Sequence, residues 1–182
     1  GNISSSGTVT ADAFVGYKML INATSFFINK DAAAMASLNG HVMVGSSNYG
    51  HDDARDYGTT AVEVADPKVD DGSQYAGITV GVDLKSIEIK SMIRIGSANE
   101  QCRCIIYHCA RQAGATPSEI DLTAILSLDT GTTNPSSRFQ HMDGSVAVDI
   151  DAGDLLFVGF GKTEGSTAQK PRGSYTLIGT TR

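Results

Sequence analysis

Cys102, Cys104 and His108 share one parity, so on a strand all three side chains face the same way. Thiolate and imidazole are zinc ligands, but a structural zinc takes four in paired spacing, and no fourth joins this set. Cys109 points to the opposite face, and strand neighbours two apart are badly placed to bridge each other. Three cysteines cannot complete a disulfide framework. The reading is three reduced core thiols, folded in a reducing compartment. His51-Asp52-Asp53 with Asp56 sets carboxylates beside an imidazole. That pattern suits a divalent cation or a polar ligand, and equally a solvated loop. Asp149-Ile150-Asp151-Ala152-Gly153-Asp154 lacks the third ligand before the glycine and the later Glu of a calcium loop. Gly161-Lys162-Thr163 ends like a phosphate-binding loop, but Leu156 stands where its first glycine belongs. His41, His51, His108 and His141 come with neither Gly-x-Ser-x-Gly nor His-Glu-x-x-His. The sequence assigns no catalytic residue, no metal and no cofactor, and the expectation is a protein that is not an enzyme. The sequons Asn2-Ile3-Ser4 and Asn22-Ala23-Thr24 fit the glycosylation pattern, but the free thiols argue against a secretory route.

What must position any site is a chain of 182 residues, enough for one domain or one plus an appendage. Lys and Arg number 14 against 20 Asp and Glu, a net charge of −6, which argues against a nucleic-acid partner. Hydrophobic residues make up 41%, enough for a core, and charged residues only 19%. No run approaches the roughly 20 apolar residues of a membrane span, so membrane insertion is not expected. Gly1 stands where a Met would begin a complete chain, so the sequence reads as a fragment or a cleaved product.

The dominant period is two, the signature of strands. Ile78, Val80, Val82 and Leu84 alternate with polar or small residues on even numbers; Ile87, Ile89, Ile93 and Ile95 alternate on odd ones. The change of parity predicts a bulge or corner at Lys85-Ser86. Gln101 to Ala110 is nearly apolar on both faces, as in a central strand or one facing a partner subunit. Leu122, Ala124, Leu126 and Leu128 alternate, as do Val146, Val148 and Ile150. Ala152-Gly153-Asp154 makes a tight turn, Leu155 to Phe160 the return strand, and Tyr175, Leu177 and Ile178 a last short strand. Seven or more strands with polar loops between them predict an all-β antiparallel sandwich or jelly roll.

The first 60 residues read differently. Thr8 to Ile28 suggests two or three short strands, and Asp31 to Leu38 one short helix, capped by Asp31 and ended by Asn39-Gly40. Gly45 to Gly58 is expected to be a long loop. A boundary near Thr60 would divide an N-terminal shaft or collar, 1–60, from a jelly-roll head, 61–182.

Gly7-Thr8-Val9-Thr10-Ala11-Asp12-Ala13-Phe14 resembles short segments that recur in bacteriophage tail-fibre shafts. Val146 to Gly161 is similar to the paired strands near the end of C1q/tumour-necrosis-factor-like jelly rolls, with Gly153-Asp154 at the turn. The resemblance implies a trimer with apolar strands about its axis. Cys104, Ile106, His108, Phe157 and Phe160 are then the candidate contacts between subunits. It also implies a virion location, on a tail fibre or spike made in the host cytoplasm, with other tail proteins as partners. A host-surface glycan or protein would meet the loop tips, where Tyr49, Asp52, Asp53, Tyr57, Asn134 and Arg138 are the candidate receptor contacts and the tyrosines offer aromatic platforms. The other reading is a structural one, a capsid-decoration or coat jelly roll that binds no receptor. A glycan-cleaving enzyme would need paired carboxylates in a cleft, which the sequence does not point to.

Overall fold

Alternating burial along each strand sorts the side chains of this chain into two faces, and the strands into two sheets. The computed structural model describes residues 16–28, 41–44, 50–51, 62–65, 77–94, 101–111, 119–130, 139–164 and 172–182. Among these, eleven strands form: β1 (Lys18–Ile28), β2 (His41–Val44), β3 (Gly50–His51), β4 (Val62–Ala65), β5 (Ile78–Thr79), β6 (Leu84–Arg94), β7 (Gln101–Cys109), β8 (Glu119–Asp129), β9 (Phe139–Ile150), β10 (Leu155–Glu164) and β11 (Arg172–Thr181). One sheet runs β3-β1-β11-β6-β9 and the other β2-β10-β7-β8-β4, with β5 also pairing β10. Set aside the short β3, β4 and β5. The remaining strands then pair first with last, second with seventh, third with sixth and fourth with fifth, all antiparallel. This is a long hairpin of eight strands, paired two by two and doubled over into two sheets, the topology of a jelly roll.

β6 shows how the sequence makes the core. Ile87, Ile89 and Ile93 are buried while Glu88, Lys90 and Arg94 alternate with them on the outer face. Leu84 is buried too, although it has the other parity. The register of β6 slips between Leu84 and Ser86 against both β9 and β11, which is the bulge expected at Lys85-Ser86. From the facing sheet come Cys102, Cys104, Ile106, Leu156, Val158 and Phe160. Phe26 and Phe160 lie 4.6 Å apart between ring centroids, with Tyr175 close to both, so rings from β1, β10 and β11 tie the sheets together. Each such buried side chain stabilises the fold by about 1.5–3 kcal/mol. All three cysteines are free and buried, as the odd count suggested.

Several elements depart from the sequence reading. The turn after Ile150 does not close a hairpin: β9 belongs to the five-stranded sheet and β10 to the six-stranded one, so the chain crosses between sheets there. Val82 is 39% exposed, because the strand at Ile78 ends at Thr79 and the backbone of Val80 bonds to the crossing instead. In β8 the register slips opposite Ile106 and Tyr107. Leu126 therefore packs on the core between the sheets and Ala124 on the opposite face. Instead of two or three short strands, residues 18–28 form one strand paired along its length with β11, and β2 pairs with β10. The described strands of 1–60 pair into the same two sheets as the rest; Thr60, where the boundary is expected, lies outside the described residues. The Gly45 to Gly58 stretch includes the short β3, which pairs in parallel with the end of β1. The helix expected at Asp31 to Leu38 lies outside the described residues.

Candidate functional site

The sandwich has two ends. One, the root, gathers Lys18 of β1, Leu84 of β6, Ile150 of β9, Leu155 of β10 and Thr181 of β11. The other, the far end, gathers Ile28 of β1, Arg94 of β6, Asp129 of β8, Phe139 of β9, Glu164 of β10 and Arg172 of β11. The candidate receptor residues Tyr49, Asp52, Asp53, Tyr57, Asn134 and Arg138 lie outside the described residues. Their chain neighbours are placed. β3 pairs with Phe27 and Ile28, Thr130 is pinned to Cys102 by a backbone hydrogen bond of 3.0 Å, and Phe139 pairs with Arg94. These anchors stand at the far end, whereas Val62, which follows Tyr57 in the chain, pairs with Leu122 toward the root.

The residues expected at a subunit contact are distributed otherwise. Cys104, Ile106 and Phe160 point into the core between this chain's own sheets, with 1% exposure or less. Their burial contributes to the core of the single chain. Phe157 lies on the opposite face of β10 in a second cluster with Ile105, Tyr107 and Cys109. That cluster is also buried within the single chain, and Gly77 sits so close that a Cβ there would be 2.9 Å from the Phe157 ring. Burial pushes the Cys104 thiol far above the usual thiol range, so it stays protonated.

His108 takes part in a corner that the sequence did not reveal. Its Nε2 is 2.7 Å from Asp154 Oδ2. The amide of Arg111 donates to Asp154 Oδ1 at 2.7 Å, and that of Asp151 to Oδ2 at 3.1 Å. Gly153 N donates to Val80 O at 2.7 Å, and Val80 N to Asp154 O at 2.9 Å. Gly153 holds φ +99°, a conformation that disfavours any residue with a Cβ, and a Cβ there would meet Arg111 Cδ at 3.0 Å. Ala152 N donates to Asp83 Oδ1 at 2.9 Å, and the Arg182 guanidinium bonds to Ile150 O and the Asp151 carboxylate. Burial raises the Asp154 pKa, but the hydrogen bonds from Arg111, His108 and Asp151 outweigh it and hold the carboxylate below its ordinary range. The chemistry of this corner is positional: one carboxylate fixes the crossing between the sheets. Its sequence signal is a lone Asp between a turn glycine and a six-residue apolar run. Asp149 and Asp151, weighed above as calcium ligands, are largely exposed and lie beside Arg182. Among the described residues no group of three or more His, Cys, Asp and Glu is placed to share a metal ion.

Beside this corner the surface turns apolar. Tyr17 is 63% and Leu20 60% exposed, and Val82 stands nearby. A groove of about 80 Å³ runs here, lined by Met19 to Ile21, Thr79 to Val82 and Leu84.

No family model matches the chain, and no curated protein matches it. Solved structures that match the chain include the following two. An Eiger TNF from S. frugiperda is 11% identical, with a TM-score of 0.40 over 79% of this chain and 92% of that one. A cryo-EM structure of Mud Crab Dicistrovirus is 10% identical, with a TM-score of 0.27 over 99% of this chain and 79% of that one. The jelly roll itself is read from the strand order of this chain.

Proposed function

We propose that the chain is the head of a virion attachment module, the distal part of a phage tail fibre or needle. It assembles as a homotrimer and binds a host-surface glycan or protein through its far-end loops. The observation that carries this reading is the division of labour between the two ends. Tyr17, Leu20 and Val82 expose apolar surface at the root, where the fibre-like segment Gly7 to Phe14 leads into β1. Such surface favours self-association, since burying it removes about 25 cal/mol per Å² of unfavourable hydration. Thr130 and Phe139, which bracket Asn134 and Arg138, and β3, which lies between Tyr49 and Asp52, stand at the opposite end.

The test is adsorption of the labelled chain to a panel of bacterial cells. Saturable binding to defined strains, reduced by Tyr49→Ala or Tyr57→Ala, supports attachment. No binding across the panel favours the decoration reading.

A further inference from the structure

The far end of the five-stranded sheet carries a row of outward-facing aromatic and basic residues. The register places Phe27, Arg172, Arg94 and Phe139 side by side across β1, β11, β6 and β9. Their strand neighbours Phe26, Gly173, Ile93 and Gln140 turn toward the core, so all four of the row face outward. Two like charges directly opposite on adjacent strands repel each other. Neither arginine has an acidic partner among the described residues. Arg94 lies over the Phe139 ring at 6.0 Å, and Phe27 and Phe139, at the two ends of the row, remain 44% and 50% exposed. Next to this row the sheet face dips into an open depression of about 210 Å³, lined by Lys90, Met92, His141, Asp143 and the Ser174 and Thr176 positions. Basic groups therefore cluster on one face of a chain whose net charge is −6.

We propose that this face binds an anionic saccharide, a short sugar chain bearing a carboxylate or phosphate group. The paired guanidiniums suit a planar or tetrahedral oxyanion. The exposed rings can stack on the apolar face of a pyranose, and the hydroxyls and Asp143 can take up sugar hydroxyls. A polyanion is disfavoured, because the patch holds few cations, includes Asp143 and sits on an acidic molecule. The inference deepens the attachment reading by naming a ligand class, and rests on it for the biological setting.

A glycan array tests it, with the full 182-residue chain presented to matched neutral and acidic oligosaccharides. The acidic members carry sialic acid, uronic acid or phosphorylated core sugars. Acidic members are retained at least ten-fold better than their neutral counterparts. Arg94→Gln and Arg172→Gln each cut that retention at least ten-fold, Lys85→Gln at the root leaves it unchanged, and both arginine variants melt no lower than the parent. The site is overturned by equal retention of neutral and acidic members, by arginine variants that melt like the parent and bind unchanged, or by preferential retention of a single-stranded RNA oligonucleotide. Cell adsorption that survives both arginine variants but fails with Tyr49→Ala overturns this site and leaves attachment standing. Acidic-glycan binding by a chain that adsorbs to no cell supports the site and overturns the attachment reading.

Discussion

The two ends of the sandwich hold their charges differently. At the root, Asp154 meets His108 and two backbone amides, Arg182 meets Asp151, and Lys18 meets Glu88 at 2.8 Å. At the far end, Arg103 meets Asp129 at 2.6 Å on the six-stranded sheet, while on the five-stranded sheet Arg94 and Arg172 face each other across the ladder with no acidic partner among the described residues. The difference teaches where the molecule gives up stability. The root is built to hold the crossing between the sheets, while the far end keeps a repulsive pair of arginines that the fold itself does not need, the arrangement expected of the proposed saccharide site.

The largest effect should come from breaking the root. Asp154→Ala leaves the amides of Arg111 and Asp151 without their carboxylate acceptor, and is expected to lower stability by about 3 kcal/mol in denaturant titration. Asp154→Asn sharpens the same point through pH. The depressed folded pKa of Asp154 means that its contribution is complete above the ordinary carboxylate value of about 3.9. It is lost as pH falls from there through the folded value. Thermal melts of the parent should therefore fall across that acidic window more steeply than those of the Asn variant. A smaller effect, of opposite sign at the two ends, follows from one substitution type. Arg172→Gln relieves the far-end repulsion and should raise stability by about 0.2–1 kcal/mol. Arg182→Gln removes root hydrogen bonds and should lower the melting temperature. If both substitutions shift the melt in the same direction, the contrast between the ends is wrong. Least of all, Leu20→Ser should leave the melt of the isolated chain within about 0.5 kcal/mol, since its side chain lies outside the core.

Much of the fold was legible because the hydrophobic period of two survives in β6, β9 and β10. The switch from Leu84 to Ile87 parity even located a bulge. The doubly apolar β7 was legible as a central strand but misleading as a partner surface. Ile105 and Tyr107 are covered within the same chain, which a linear pattern cannot distinguish from cover by a neighbour. The crossing at Gly153 was read as a turn back, since a turn sequence specifies the reversal of direction and not which sheet receives the next strand. The slip in β8 carries no sequence mark of its own, so Ala124 and Leu126 were assigned to one face. The far-end row was invisible for a simpler reason. Phe27, Arg94, Phe139 and Arg172 are scattered along the chain, and only the ladder register aligns them. The Asp154 hub was half legible, as a turn aspartate whose partners His108 and Arg111 come from another strand.

The proposed trimer requires copies of the chain to meet at the root. Static light scattering of the full chain at micromolar concentration tests it directly, with Leu20→Ser measured alongside. The predicted result is a mass three times the single-chain 19.1 kDa for the parent, falling toward one chain for the variant. A parent that elutes at the mass of one chain would contradict the account.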